Sequence, residues 1–255
     1  MTEHTAGVPN FIEIRTPDPE AAAQFYTELF GWRIDDKVSA GYRYARRLDG
    51  AVIAGLRQSG GDQPAAWTVY LSTNDIARAM RHAADNDGRV LHSPVDVPGQ
   101  GEVTVIADPT GAITGLCQPR PGWCFASHTP GTFAWAELLT PRGSAADDFY
   151  AQLVGLGSTQ IGDATTYDYA VWTPAGHQTP VAGRHQIVAR DGGRALWRVY
   201  FTVDPVIGTD QALTSAVRLG ATVVADPRDI PAGRTAVLTD LTGAQFALLT
   251  PAPRA

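Results

Sequence analysis

The sequence predicts an α+β protein made of tandem βαβββ modules, and three observations carry that prediction. The 255-residue chain aligns with itself. FIEIRTPDPEAAAQFYTELFG (Phe11–Gly31) matches WAELLTPRGSAADDFYAQLVG (Trp135–Gly155), WTVYLSTND matches WRVYFTVD, and VDVPGQGEVTVIADPTGA matches RDIPAGRTAVLTDLTGA. Ordered matches at a nearly fixed offset mark two copies of one unit. Next, each copy opens with a period-two strand pattern that gives way to a capped helix. Finally, DPTGAITGLCQP (Asp108–Pro119) and DLTGAQFALLTP (Asp240–Pro251) both read as a tight turn feeding a last strand.

The elements follow in chain order. NFIEIRT alternates as a strand. Asp18 caps a helix with Pro19 in its first turn. Phe25, Tyr26 and Leu29 form its apolar stripe, and Gly31 supplies the left-handed stop. GYRYARRLDGAVIAGL reads as a hairpin turning at Asp49-Gly50. A helix is expected from about Asn74 to Asp87, stopped by Gly88. In the second copy Ser144 and Asp147 resemble a capping box ahead of Phe149, Tyr150 and Leu153. A last helix is expected from about Thr209 to Leu219, stopped by Gly220. The stretch QPRPGWCFASHTPG, rich in Pro and Gly, reads as a linker. The predicted division is a first module over 1–120, a linker over 121–131 and a second module over 132–255. Within each copy the strand–helix–strands order recurs, giving four βαβββ-like units with one sheet face on the helices and the other on a cavity.

Composition narrows the function. The chain is 44% hydrophobic and 18% charged with a net charge of -6, which argues against nucleic acid or an anionic membrane as partner. No apolar run approaches the roughly 18 residues a membrane span needs. MTEHTAGVPN lacks the pattern of a signal peptide, so a cytoplasmic location is expected. Cys117 and Cys124 are too few for a disulfide scaffold and lack metal-type spacing. No GxGxxG stands between a strand and a helix, so neither flavin nor nicotinamide is indicated.

TPDPEAAAQFYTELFGW, the WxVY strands, DPTGA and the terminal LLTPAP together resemble the vicinal oxygen chelate superfamily, the glyoxalase/bleomycin-resistance/dioxygenase fold, in a two-module form. The resemblance runs from about Pro9 to Pro253. It implies two curved, partly open barrel-like sheets with helices outside, and it is specific for fold rather than activity. Metal-dependent members of the family place His, Glu or Gln at four strand positions. Carried onto this sequence, those positions fall on Phe11, Ala54, Thr68 and Gly115, and on Trp135, Ala182, Arg198 and Ala247. A divalent ion needs three or four N or O donors, so no metal and no cofactor are expected. His4, His82, His92, His128, His177 and His185 read as scattered surface histidines, with His82 on the exposed side of its helix; a site from His177 and His185 with a carboxylate is the lesser alternative.

Strand alternation assigns faces. If Phe11 faces a cavity, Glu13 and Arg15 do too, and likewise Trp135 and Glu137. Thr68 and Tyr70, and Arg198 and Tyr200, then point the same way, while Trp67 and Trp197 face the helices. The resemblance further implies cavities closed by halves of both modules. One would combine Phe11, Glu13, Arg198, Tyr200 and Leu249; the other would combine Trp135, Glu137, Thr68, Tyr70 and Cys117. Tyr42, Tyr44, Tyr167 and Tyr169 are expected at the mouths. Aromatic walls with a few polar groups suit a flat hydrophobic ligand. A carboxylate desolvated among rings has a raised pKa and can act as acid or base, so Glu13 and Glu137 are the candidate catalytic carboxylates. Tyr70 and Tyr200 are candidates to stabilise an enolate or phenolate.

Two functions follow. One is a metal-independent lyase, isomerase or cyclase acting by acid–base chemistry on an aromatic or polyketide-like metabolite. The other is a protein that binds and sequesters such a compound, as in drug resistance. A metal-dependent glyoxalase or dioxygenase is disfavoured by the missing ligands. The expected partner is a hydrophobic small molecule, with the chain a monomer that is its own pseudo-dimer; a homodimer stays open.

Overall fold

The computed structural model describes residues 4–36, 42–60, 64–188 and 195–253. The first copy contains β1 (Pro9–Thr16), α1 (Pro19–Phe30), β2 (Arg33–Ile34), β3 (Tyr42–Arg46), β4 (Val52–Gln58), β5 (Ala66–Ser72), α2 (Ile76–Asp85), β6 (Arg89–Val90), β7 (Val95–Val97), β8 (Gly101–Ala107) and β9 (Ile113–Pro119). The second contains β10 (Phe133–Thr140), α3 (Gly143–Val154), β11 (Leu156–Gln160), β12 (Tyr169–Pro174), β13 (Ala182–Gln186), β14 (Leu196–Thr202), α4 (Thr209–Arg218), β15 (Thr222–Ile230), β16 (Gly233–Thr239) and β17 (Gln245–Pro251). Strands β1–β9 belong to one mixed sheet and β10–β17 to the other. The fold is α+β, as the repeat predicts.

The compact units do not follow the copies. One gathers residues 1–10, 68–124 and 136–197, and the other gathers 11–67, 125–135 and 198–255. Each thus takes a front half of one copy and a back half of the other.

In the second of these units, α1 packs on β2, β4 and α4, while α4 packs on β15, β16 and β17. The helices therefore form the middle layer between the half-sheets β2-β3-β4-β1 and β14-β17-β16-β15. Its hub is Tyr26, fully buried. The ring stacks on Trp32 at 4.9 Å and meets Trp67, Phe201 and Phe246. Such clusters combine large area burial with edge-to-face attraction. The Trp32 indole N–H donates to the Gly131 carbonyl at 2.7 Å, so even this ring leaves no buried donor unmatched.

The other unit repeats the plan with Tyr150. Helix α2 packs on β8 and β9, α3 on β11 and β13, and α2 on α3. Tyr150 lies 4.9 Å from Trp172 and 5.9 Å from Trp197. Trp67 and Trp197 do face the helices.

The two TGA turns anchor these hubs. Asp108 Oδ1 accepts from the Thr110 and Ala112 backbone N–H groups and from the Thr110 hydroxyl, while Oδ2 accepts the Tyr150 hydroxyl at 3.0 Å. Asp240 does the same with Thr242 and Ala244, and its Oδ2 accepts the Tyr26 hydroxyl at 2.8 Å. Gly111 and Gly243 take φ of 96° and 101°, which side chains rarely adopt. Each helix tyrosine is thus tied to the turn of the other copy. Burial, and then the neighbouring aspartate, holds both tyrosine hydroxyls well above their usual pKa.

Several local expectations hold. Asp18 accepts from Ala21 N–H, Gly31 is left-handed at φ 73°, and the hairpin turns through Gly50 at φ 88°. Others need correction. Asp147 is no capping box: α3 starts after Arg142 without a side-chain cap, and Asp147 instead binds Trp172 and Arg184. Helix α2 starts at Ile76 under an Asp75 cap. The left-handed residue after it is Asp87, φ 58°, not Gly88. His82 is half-buried against the Phe149 ring rather than exposed, because α3 covers that side of α2.

Candidate active site

The parallel register of β1 on β4 places Glu13 opposite Gly55 and Arg15 opposite Arg57. On the far side of β4, Tyr44 pairs Gly55 and Tyr42 pairs Arg57. Partners across a ladder share a face, so Glu13, Arg15, Tyr42, Tyr44 and Arg57 stand together, away from the helices. Glu13 is only 4% exposed, and its Oε1 lies 3.3 Å from Arg57 Nε. Phe11 meets Tyr44 edge-on at 6.1 Å, and Tyr42 meets Tyr44 at 5.3 Å. The Tyr42 hydroxyl and the Phe11 ring fill the space a side chain at Gly55 would take, 2.2 Å and 3.0 Å from where its Cβ would lie. The result is an ion pair walled by three rings.

The second copy builds the same face in the other unit. Glu137 pairs Gly183 and Leu139 pairs His185, while Val171 pairs Gly183 and Tyr169 pairs His185. Glu137 is 5% exposed. Tyr167 and Tyr169 stack at 5.5 Å, and both approach the His185 ring. On the helix side of β13, Arg184 donates to Asp147 at 2.7 Å and to Asp168 at 2.5 Å. Burial opposes the Asp168 charge, but hydrogen bonds from Arg184 and Gln160 outweigh it and lower its pKa.

The remaining expected residues lie on the back half-sheets. Tyr70 pairs Gly115 across β5 and β9, and a Cβ on Gly115 would fall 2.3 Å from the Tyr70 ring. The ring therefore occupies the place a longer side chain at Gly115 would take. Thr68 and Cys117 lie buried on this face. Burial pushes the Cys117 thiol up to about 11, against hydrogen bonds with Asn10 and Gln100, so it is no thiolate nucleophile at neutral pH. Tyr200, Ala247, Leu249 and Val237 form an apolar cluster, with Trp135 packed against it. Arg198 donates to Gln245 Oε1 at 2.7 Å.

These placements overturn both expected cavity sets. In one unit the helix layer lies between the half-sheet of Phe11 and Glu13 and that of Arg198, Tyr200 and Leu249, so the two groups look away from each other. In the other, Glu137 is separated in the same way from Thr68, Tyr70 and Cys117. Trp135, on the Glu137 face of β10, packs against the cluster of Tyr200 and Leu249. Alternation along a strand gives two faces but not which faces meet. Ala54 and Ala182 were also placed on the wrong face. Ala54 shares parity with Leu56, the partner of Ile14, and Ala182 pairs Trp172, which binds Asp147 of α3. Sequence reasoning missed Arg57 as a partner and read His185 only as one of the scattered histidines. Their signal was the strand pattern two residues beyond Gly55 and Gly183, readable only with the register in hand.

The family's metal needs N or O donors at these positions, and the residues present do not fit. On the face away from the helices, Phe11 presents a ring, Gly115 lies under a tyrosine ring, and Ala247 is packed in an apolar cluster. Among the described residues no three His, Cys, Asp or Glu side chains group as metal ligands. Nor is any helix among them long and apolar enough to cross a membrane.

Residues 8–114 match the model of the Glyoxalase/Bleomycin resistance protein/Dioxygenase superfamily. A protein of Mycobacterium tuberculosis (strain CDC 1551 / Oshkosh) named "Putative glyoxylase CFP32" is 33% identical, over 99% of this chain and 98% of its own. The anthracycline biosynthesis protein DauV of Streptomyces sp. (strain C5) is 34% identical, over 98% and 95%. Among solved structures, the Mn(II)-bound glyoxalase of Novosphingobium aromaticivorans superposes with a TM-score of 0.69 at 13% identity, covering 98% of this chain and 89% of that one. That likeness speaks for the fold alone. Relatives matched end to end at a third identity, on a duplicated βαβββ frame, place this chain in the glyoxalase/bleomycin resistance protein/dioxygenase superfamily.

Proposed function

We infer that this chain is a metal-independent enzyme performing acid–base tailoring (isomerisation, cyclisation or dehydration) on a hydrophobic aromatic or polyketide-like small molecule. The observation that carries this reading is a buried carboxylate on a sheet face that also carries aromatic rings, Glu137 one row from Tyr169 and His185. Two relatives of similar identity, DauV and DnrV from Streptomyces, are named anthracycline biosynthesis proteins, which supports a tailoring role and a polycyclic substrate. Metal independence is supported by Gly115 and Ala247, which bring no donor atom to the last strand of either copy.

The chemistry needs no more than the chain holds. A carboxylate takes a proton from a carbon next to a carbonyl, and the C–H electron pair moves into an enolate. The proton returns at another atom in an isomerisation, or a hydroxyl leaves with it as water in a dehydration. A nearby hydrogen-bond donor steadies the enolate oxygen. The chain acts as a soluble monomer on a free small molecule in this proposal.

One observation favours a second reading, binding without turnover. The Glu13–Arg57 pair already balances its own charge among Phe11, Tyr42 and Tyr44, which suits ligand recognition better than proton transfer. The test is incubation of the protein, dialysed against a chelator, with hydroxylated polycyclic ketones and mass-resolved product analysis. Turnover that Glu137→Gln abolishes supports the enzyme. Binding with the compound returned unchanged supports sequestration. Activity that appears only on adding a divalent metal removes the metal-independent reading.

A further inference from the structure

Tyr167 is 45% exposed, yet a single carboxylate orders the loop that carries it. Asp163 Oδ1 accepts from the backbone N–H groups of Thr165 at 2.8 Å, Thr166 at 2.7 Å and Tyr167 at 2.9 Å, and from the Thr165 hydroxyl at 3.1 Å. Its Oδ2 accepts the Thr166 hydroxyl at 2.7 Å. The Tyr167 and Thr165 backbone bonds, with the Thr166 hydroxyl, hold the Asp163 carboxyl well below the usual carboxylate range. Gly162 completes the loop, because a Cβ there would strike the Tyr167 carbonyl.

What the loop presents is specific. The Tyr167 ring lies within 4° of parallel to Tyr169, and the His185 ring stands 5.3 Å from Tyr167 and 6.2 Å from Tyr169 at steep angles. One residue row further along the same face is Glu137, opposite Gly183, which has no side chain to block the path. An exposed aromatic stack fixed by an ordered loop, with an imidazole at its edge, contributes little to core burial. It does match a flat ring bearing oxygen atoms: the ring stacks, and the oxygen reaches the imidazole.

We propose that Tyr167, Tyr169 and His185 form a binding site for a planar hydroxylated aromatic or quinone, which stacks on the tyrosine pair and hydrogen-bonds through a ring oxygen to His185. Asp163 is the positioning residue that holds Tyr167 in place. Delivery of the bound ring to Glu137 rests on the catalytic reading above; the binding itself does not.

The experiment is a fluorescence titration of the full chain with 1,8-dihydroxyanthraquinone. Tyr167→Ala and His185→Ala each raise Kd at least tenfold. Tyr167→Phe, which keeps the stack, stays within twofold, as does Leu48→Ala at an exposed site of the other unit. Asp163→Ala weakens binding, and Asp163→Asn restores part of it, with thermal midpoints unchanged throughout. Failure of the wild-type chain to bind the probe, or Kd unchanged in both Tyr167→Ala and His185→Ala, overturns the proposal. Loss of affinity in those two variants, together with turnover that survives Glu137→Gln, keeps this site and removes the catalytic reading.

Discussion

Glu13 faces Gly55 and Tyr44 along its row, with Arg15, Arg57 and Tyr42 in the next; Glu137 faces Gly183 and Val171, with Leu139, His185 and Tyr169 in the next. The two rows descend from one pattern, down to the glycine opposite each acid. They differ in charge. The next row of the first carries guanidinium groups, and that of the second an imidazole and a leucine. On the helix side the difference runs the other way: Leu56 in the first copy is replaced by Arg184, buried between Asp147 and Asp168. Duplication kept the scaffold and let the two faces diverge in charge. A strand position costs little to change when its neighbours across the ladder change with it.

The largest expected effect separates the two acids. Glu137→Gln lowers kcat about 100-fold or more, the usual range for a lost general base, while Glu13→Gln raises KM and changes kcat less than about tenfold. Equal losses in kcat for both would erase the distinction.

The scaffolds should respond alike. Tyr26→Phe and Tyr150→Phe each remove a bond to a buried aspartate and each cost about 1–3 kcal/mol in urea unfolding. A several-fold difference between them would show that the two TGA anchors are not equivalent. The strands after the turns should respond unequally. Gly115→Ala forces the Tyr70 ring to move and costs about 1–3 kcal/mol. Ala247, at the matching position beside Tyr200, already carries the methyl group that Gly115 cannot.

The smallest effect concerns acid stability. The folded-state pKa of Asp168 is lowered, so its contribution is present above the unfolded value of about 3.9. It is lost as pH falls through the lower folded value. Asp168→Asn therefore lowers the urea midpoint at pH 7 and flattens its decline below about pH 4. Leu56→Met in the first copy leaves that decline unchanged. A variant curve parallel to wild type down to pH 3 would contradict the assignment.

Much of this frame was legible in advance. Asp18 and Gly31 mark α1 because a cap and a left-handed glycine act within one turn of chain. Phe25-Tyr26 and Phe149-Tyr150 read as core because helical spacing needs no tertiary context. Asp147 shows the limit. By spacing it suits a capping box, but Arg184 and Trp172 reach it from strands and claim its oxygens. His185 shows the same limit in reverse, since a lone histidine in a strand has no meaning until its row partners are known.

By itself, then, the sequence determined the duplicated α+β frame, the helix limits to within a few residues and the aromatic hubs. All of these depend on residue type and short spacing. Tertiary structure decided which half of each copy joins which, through Tyr26 to Asp240 and Tyr150 to Asp108. It decided that the expected cavity sets fall on opposite sides of a helix layer, and that Arg57 and His185 belong beside the two glutamates. Those facts depend on register between strands and on packing between residues 42 and 214 positions apart. No local pattern encodes them, because a strand specifies two faces and leaves its neighbours to choose between them.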